Sequence, residues 1–427
     1  MTKRATLHLA YYGDDFTGST DALEFLTRAG LRTVLFTLPP TRAQLAKFDR
    51  LDAIGVAGLT RSLRMRAMER ELCAGFVALR ALRPRHVHYK VCSTFDSSPT
   101  IGSIGRAIEV GAEIFPGAFV PLVVGAPALG RYCVFGNLFA RLGTGSAGAI
   151  HRLDRHPAMS HHAVTPMDES DLRRHLAKQT EKRIALFDVL DAERPESEAH
   201  TRLEAFAREN AAIVLFDVLR DEHLHLIGRL IDRRAHRGQP LFSVGSSAVE
   251  MALGANWRGR APRAWSPLRP EKPTLIVSGS CSPVTARQIA WAEARGFAIV
   301  PFDKNAHAAA SAALRAGRHA LVCSSRGKPH RTILPVQKLG TELGRLARAL
   351  VAEHGVTRLV VAGGDTSSYA ARALGIEALE MIAPLAPGAP VCRAHAPGSP
   401  VDGMEVNFKG GQVGAEDYFG AAARGNL

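Results

Sequence analysis

Two series of strand-length apolar runs alternating with helical patterns, separated by a stretch rich in proline, glycine and arginine, predict an α/β fold in two domains. Each domain is expected to be a mostly parallel sheet flanked by helices, because regular strand and helix alternation is the pattern of crossover connections. Length points the same way: 427 residues exceed what one hydrophobic core usually organises. The domains are expected at 1–255 and 273–427, joined by a linker at 256–272.

In the first series, strands are expected at 6–12, 33–38, 53–57, 86–92, 119–125, 184–189, 212–218 and 240–244, with a helix at 19–29 after the first. All are assigned to the N-terminal domain. From 254 to 273 the apolar periodicity is lost and prolines, glycines and arginines gather, as in an exposed connection. The second series gives strands at 274–278, 298–302, 320–324 and 358–362, with helices at 284–295 and 339–354. The latter helix carries Leu343, Leu346 and Leu350 on one face, and Gly355 stands where a C-terminal cap belongs. The tail at 388–414, rich in glycine and proline, reads as hairpin and loop.

Composition narrows the class without naming a ligand. Hydrophobic residues at 46% and charged residues at 22% are ordinary for a globular protein. The 54 Lys and Arg against 40 Asp and Glu leave a net charge of +14, which favours anionic partners. Six cysteines without a Cys-x-x-Cys pair or zinc-like spacing read as reduced, mostly buried thiols. No segment has the length of a membrane span, and the N-terminus lacks the apolar core of a signal peptide, so the cytosol is the expected compartment.

Five constellations carry chemistry. Gly13-Asp14-Asp15-Phe16-Thr17-Gly18 stands where a strand passes into a helix, the place where open α/β sheets bind ligands. Paired carboxylates there suit accepting a hydroxyl proton or steering a metal, and one of them also suits a helix cap. Lys90, followed by Cys92, Ser93, Thr94, Asp96 and Ser97, closes a second strand with a point charge and hydroxyl donors. Arg61 and Ser62 follow a third strand, where a guanidinium can grip a carboxylate through two hydrogen bonds.

In the second series, Ser278-Gly279-Ser280-Cys281-Ser282 and Gly363-Gly364-Asp365-Thr366-Ser367-Ser368 each end a strand and open a helix. Small residues let the backbone approach phosphates, and free N–H groups complete such a cradle. With Lys409-Gly410-Gly411, these turns favour a nucleotide site, although no P-loop or dinucleotide fingerprint is present. His151, His156, His161 and His162 invite a metal reading, but their spacing fits a substrate-facing loop or plain surface better.

Together these segments resemble the four-carbon acid sugar kinase family. The resemblance rests on Asp14 through Gly18, Lys90 through Ser97, His162 with Thr165-Pro166-Met167, Ser278 through Ser282, Gly363 through Ser368, and Gly414-Ala415-Glu416-Asp417-Tyr418-Phe419. It spans nearly the whole chain and preserves order and spacing. It implies an acid-sugar-binding N-terminal domain and an ATP-binding C-terminal domain, with the active site in the cleft between them. Carried over residue by residue, it implies substrate contacts from Thr17, Gly18, Arg61, Ser62, Lys90, Ser93, Thr94, Asp96, His162 and Thr165. Nucleotide contacts are implied for Ser278, Ser280, Ser282, Gly363, Gly364, Asp365, Thr366, Gly410 and Gly411. Two departures stand out: Lys409 through Gly414 replaces a more usual Gly-x-Phe-Gly ending, and the segment after Ser97 differs from that of the 3-oxo-tetronate members.

The reaction so implied is ATP-dependent phosphorylation of the terminal 4-hydroxyl of 3-oxo-tetronate, threonate, erythronate or another small or branched sugar acid. Mg²⁺ would bridge the ATP phosphates, with no protein ligands assigned to it. Asp15, with Asp14 as close second, would accept the hydroxyl proton, and domain closure would exclude water. Neither a nucleic acid nor a membrane is an expected partner, and a homodimer is compatible with the sequence. The rival from another class is a basic nucleic-acid-binding protein, but aromatics at 6% and the lack of a nucleic-acid motif weigh against it. A second rival, a sugar-acid binding protein without catalysis, would leave the glycine-rich turns without a role.

Overall fold

The first strand, β1 (Leu9–Gly13), is buried along its whole length, as a strand covered on both faces must be. In the computed structural model, which describes residues 7–143, 147–162, 164–235, 239–257, 265, 272–327 and 334–424, ten further strands precede the break. They are β2 (Thr33–Phe36), β3 (Ala53–Ala57), β4 (His86–Lys90), β5 (Val120–Val123), β6 (Arg131–Val134), β7 (Asn137–Arg141), β8 (Ile150–Arg152), β9 (Ile184–Phe187), β10 (Ile213–Phe216) and β11 (Leu241–Gly245). The chain divides into two units, one drawn mainly from residues before 263 and the other from 263 onward together with Val34–Leu38.

In the first unit, a parallel sheet runs β3-β1-β4-β11-β5-β10-β9. The chain leaves β1 for β3 on one side and returns to β4 on the other. Strand order therefore reverses at β1 and β4, which opens a crevice beyond their carboxyl ends. Register sets Gly13 opposite both Ala57 and Lys90, and Lys90 opposite Gly245, so these strands finish level. Beneath them Phe76 meets Tyr12, Tyr89 and Phe242 edge-on, at ring-centroid distances of 6.1, 5.9 and 5.3 Å. Full burial of each such side chain stabilises the unit by about 1.5–3 kcal/mol and fixes the strand ends that carry the turns.

The second unit adds β12 (Leu275–Ser278), β13 (Ala298–Pro301), β14 (Ala320–Cys323), β15 (Arg358–Ala362), β16 (Ala378–Ala386), β17 (Ala389–His395) and β18 (Glu405–Lys409). Its parallel part runs β13-β14-β12-β15-β18. An antiparallel part continues through β17 and β16 to β2. Order reverses at β12 and β15, and register aligns Ser278 with Ala362 and Ala362 with Lys409. Three strand ends thus present their turns side by side.

The protein is α/β, with mostly parallel sheets flanked by helices, as the alternation predicts. Several elements differ from expectation. Residues 34–38 group with the second unit, because β2 pairs antiparallel with β16 and the Thr37 hydroxyl donates to the Ile376 carbonyl at 2.9 Å. The small antiparallel sheet β6-β7-β8, the helix Ala306–Arg315 and β16 were not expected. Helix Val336–His354 begins three residues before 339 and ends on Gly355 in the left-handed conformation, at φ 57°. The tail holds two full strands, β17 and β18, rather than hairpin and loop alone. Of the six free cysteines, Cys133, Cys323 and Cys392 are buried and Cys92 partly so, whereas Cys73 and Cys281 are exposed. The expected linker at 256–272 falls almost wholly outside the described residues. Among the described residues, no helix is long and apolar enough to cross a membrane.

Candidate functional site

The turn after β1 assigns different work to its two carboxylates. Asp15 is extended, with φ −143° and ψ 170°, and caps the helix Phe16–Arg28. Its Oδ1 accepts from the Gly18 N–H at 2.7 Å, and its Oδ2 accepts from the Thr17 hydroxyl at 2.8 Å. The Arg61 guanidinium lies 2.7 Å from the same Oδ2. Burial opposes ionisation of Asp15, yet Arg61, the Thr17 hydroxyl, Lys90 and the Gly18 amide together hold its carboxyl below the usual range. The helix starts three residues earlier than the expected 19, so Thr17 and Gly18 lie in its first turn.

Asp14 is in the opposite state. Its Oδ2 accepts from the Cys92 N–H at 3.3 Å, while its buried Oδ1 has no hydrogen-bond partner. Burial pushes this carboxyl up to about 7; Arg61 and Lys90 pull it down, whereas Asp15 and Asp96 push it further up. Of the two carboxylates, Asp15 is the one that carries the negative charge, because the cap and Arg61 are built around it.

Lys90 stands level with this turn and is almost fully buried. Its Nζ donates to the Val91 carbonyl at 3.0 Å and lies 3.4 Å from Asp21 Oδ2, which also accepts from the Ser247 hydroxyl at 2.7 Å. Burial alone would lower the ammonium, but Asp21, Asp14 and Glu250 raise it above its ordinary value, so Lys90 stays charged. Gly18 is required beside it. A Cβ there would stand 2.6 Å from Asp15 Oδ1 and 3.1 Å from Lys90 Nζ.

Beyond Lys90 the chain folds back on itself. The Thr94 hydroxyl donates to Asp96 Oδ1 at 2.7 Å and lies 3.0 Å from Cys92 Sγ. Phe95 between them takes φ 58°, a left-handed conformation unusual for a bulky side chain and the kind of strain that gathers at functional turns. It is fixed by an edge-on contact with His175 at 5.9 Å and by the His175 bond to the Ser97 hydroxyl at 3.0 Å. Burial pushes the Cys92 thiol up to about 12, which removes it as a nucleophile at neutral pH.

Asp14, Asp15, Thr17, Gly18, Arg61, Lys90 and the turn from Cys92 through Asp96 therefore belong to one crevice, with Ser93 half-buried in that turn. Ser62 differs: it is exposed, and its hydroxyl donates back to the Leu59 carbonyl. His162 and Thr165 satisfy each other, the Thr165 N–H and hydroxyl both meeting His162 Nδ1 at 3.2 and 3.0 Å. Among the described residues, no hydrogen bond or ion pair joins them to Asp14, Arg61 or Lys90. His156 Nδ1 accepts from the Ala158 and Met159 N–H groups, and the described residues contain no group of three or more metal-ligating side chains.

In the second unit three turns converge. Ser282 caps the helix Pro283–Glu293 by accepting from the Val284 N–H at 3.2 Å, and the Ser280 hydroxyl accepts from the Ser282 N–H at 3.2 Å. Ser278 is fully buried beneath, its hydroxyl accepting from the Ser280 N–H at 3.4 Å. Gly363, at φ 120°, opens the helix Gly364–Ala373. A Cβ on Gly279 would stand 2.2 Å from Thr366 Oγ1, and one on Gly411 would stand 3.0 Å from Ser280 Oγ. Glycine is therefore what lets the turns after β12, β15 and β18 approach one another. Two helix N-termini face this junction with free N–H groups, an arrangement that accepts phosphate. Asp365 is exposed in the first turn of its helix, whereas Gly364 and Gly410 lie half-buried at the junction.

With this geometry in place, comparison with known proteins is direct. A family model described as a sugar-binding N-terminal domain matches residues 9–253, and one described as a nucleotide-binding C-terminal domain matches residues 275–419. The chain belongs to the four-carbon acid sugar kinase family. This is a family of phosphotransferases acting on sugar acids. Among its members, the 3-oxo-isoapionate kinase of Paraburkholderia graminis is 42% identical to the chain, over 99% of the chain and 95% of the relative. The 3-oxo-tetronate kinase of Methylobacterium radiotolerans is 31% identical, over 98% and 99%. A crystal structure from Salmonella typhimurium LT2 aligns with TM-score 0.78 at 26% identity, covering 98% of the chain and 99% of its own.

Three residues that position this kinase family's turns here escaped the sequence reading. Asp21 lies one helical turn beyond Gly18 and holds Lys90. Thr285 donates to the Gly411 carbonyl at 3.0 Å, and Gln288 donates to the Val413, Gly414 and Ala415 carbonyls at 2.9–3.1 Å. Both stand on the helix that Ser282 caps, at the i, i+3 spacing that puts side chains on one face. Lys409, which the sequence reading set beside Gly410 and Gly411, is fully buried at the end of β18.

Proposed function

We propose that the protein is an ATP-dependent kinase that phosphorylates the terminal hydroxyl of a small 3-oxo sugar acid, with 3-oxo-isoapionate favoured over 3-oxo-tetronate. The observation that carries the reaction is the buried, unpartnered Oδ1 of Asp14 on a carboxyl raised to about 7. A base of that strength, held ready at a strand-order reversal, suits taking a hydroxyl proton near neutral pH. Asp14 thereby replaces Asp15 as the base, because the cap hydrogen bonds and Arg61 already engage Asp15.

Arg61 retains guanidinium donors beyond its pair with Asp15 and is the partly exposed cation of the crevice, suited to the substrate carboxylate. Lys90, buried and charged, offsets part of the negative charge that Asp14 gains as it ionises. The converging glycine and serine turns of the second unit suit the nucleotide phosphates. Mg²⁺ bound to those phosphates would supply charge neutralisation. Preference for 3-oxo-isoapionate rests on the higher identity to the kinase of that name, 42% against 31%. Coupled ADP-release assays over 3-oxo-isoapionate, 3-oxo-tetronate, threonate and erythronate test the reading. The largest kcat/KM is expected for 3-oxo-isoapionate, and turnover of threonate or erythronate in preference to both oxo acids would contradict it.

A further inference from the structure

Among the described residues, no opposite charge pairs with Lys409. Its side chain is fully buried at the end of β18, and Nζ donates to Thr285 Oγ1 at 3.2 Å. The rest of its surroundings is aromatic, with Nζ 5.3 Å from the Tyr418 ring centroid and 5.9 Å from that of Phe419. Charged groups on the elements packed around it are engaged elsewhere or exposed. On the helix Pro283–Glu293, Arg287 pairs with Glu416 and Glu293 with Arg326. Glu405, at the far end of β18, pairs with Arg358 of β15, and His395 of β17 pairs with Glu380. Arg393 of β17 donates to the Gly403 carbonyl, and Arg372 of the helix Gly364–Ala373 donates to the Ser368 carbonyl. Asp365 is exposed at the start of that helix, and Asp417 pairs with Arg424 of the helix Tyr418–Arg424. The Tyr418 hydroxyl donates to Asn407 Oδ1. Burial with no compensating charge pulls the Lys409 ammonium down to about 7.

Buried cations ordinarily come paired, because desolvation is costly and opposite charge is the usual compensation. The position of Lys409 identifies the missing partner. Thr285 Oγ1, which receives the Lys409 hydrogen bond, also accepts from the Ser280 hydroxyl at 3.0 Å and donates to the Gly411 carbonyl at 3.0 Å. Its hydroxyl is thus fully used, and Lys409 stands two hydrogen bonds behind the turns read above as the phosphate cradle. We propose that Lys409 is the buried positive charge over which the nucleotide phosphates bind, and that nucleotide binding is coupled to uptake of one solvent proton by Lys409. It acts as a positioning residue, through Thr285 and through its field, rather than by touching phosphate. This inference rests on the nucleotide reading of the second unit.

The sign follows from linkage. Bound phosphate favours the ammonium, so the protonation midpoint of Lys409 rises on binding, and affinity is highest below pH 7 and falls as pH rises above it. Calorimetric titration of the full-length protein with MgADP at pH 8, in buffers of low and high ionisation enthalpy, measures the coupled protons. At that pH the nucleotide phosphates are already deprotonated. Wild type is expected to take up about one proton per nucleotide. Lys409→Met is expected to bind about tenfold or more weakly at pH 6.5 with no such uptake, and to melt at higher temperature without nucleotide, because a buried charge has been removed. A lysine with a merely structural role would give a variant of lower melting temperature and unchanged proton uptake. Equal uptake by wild type and variant, or none by wild type, overturns the proposal. Should the variant fail to fold, wild-type uptake in the two buffers still decides it. Absence of any MgADP binding by wild type would instead contradict the nucleotide site itself.

Discussion

Asp14 and Asp15 are adjacent, equally buried and oppositely tuned, and the difference comes from what each oxygen meets. Asp15 is surrounded by donors: the Gly18 amide, the Thr17 hydroxyl and Arg61. Asp14 meets one amide and leaves an oxygen unpaired. Asp14→Asn should lower kcat by about 100-fold or more, the usual worth of a positioned base, while nucleotide affinity holds. Wild-type kcat should fall as pH drops through about 7, because the base is lost on protonation. Single-turnover rates across pH 5.5–8.5 with saturating nucleotide check both points, and a profile flat through 7 would return the role to another group. Asp15→Ala should act differently. It removes the cap, costing about 1 kcal/mol by denaturant midpoint, and releases Arg61 to seek another partner. Two carboxylates and a helix start were visible in the sequence, but not which carboxylate would cap. That choice depends on the extended backbone of Asp15 and on Arg61 arriving from the 3-10 turn Thr60–Ser62 after β3.

At the scale of elements, strands buried on both faces were the legible ones. β3 and β15 fall on their expected residues, because continuous apolar runs between turn signals leave little ambiguity. β6 alternates buried and half-buried residues over four positions, and β8 is largely exposed, so neither produces an apolar run. The helix Ala306–Arg315 is built mostly from alanine, whose small side chain gives weak periodicity. Turns were legible as glycine and serine clusters, but their convergence depends on register. Gly279 makes this testable. Gly279→Ala places a methyl 2.2 Å from Thr366 Oγ1, so about 1–3 kcal/mol of stability should be lost along with nucleotide affinity. Gly279→Ala combined with Thr366→Ala should recover much of the stability, and equal midpoints for single and double variants would place the strain elsewhere. Gly18→Ala should likewise disturb Asp15 and Lys90 together, read as a raised substrate KM.

At the scale of the whole molecule, the division at 1–255 and 273–427 describes the chain by sequence order, but the sheets do not respect that order. Val34–Leu38 completes the second unit by pairing with β16, a partner more than 300 residues away that no local pattern announces. A fragment of 273–427 should therefore expose the β16 edge and associate through it, as unpaired strand edges do. Size-exclusion chromatography of that fragment, with and without a peptide of 31–40, checks this; a monodisperse, peptide-indifferent fragment would show the edge to be dispensable.

The measurement that bears most directly on the central claim is ATP-dependent ADP release by wild type and Asp14→Asn, with 3-oxo-isoapionate and 3-oxo-tetronate as acceptors. The account predicts acceptor-dependent release by wild type, greater with 3-oxo-isoapionate, and its near-complete loss in the variant, which still binds MgADP. Wild-type-like turnover by Asp14→Asn, or no acceptor-dependent release by wild type with either oxo acid, would contradict it.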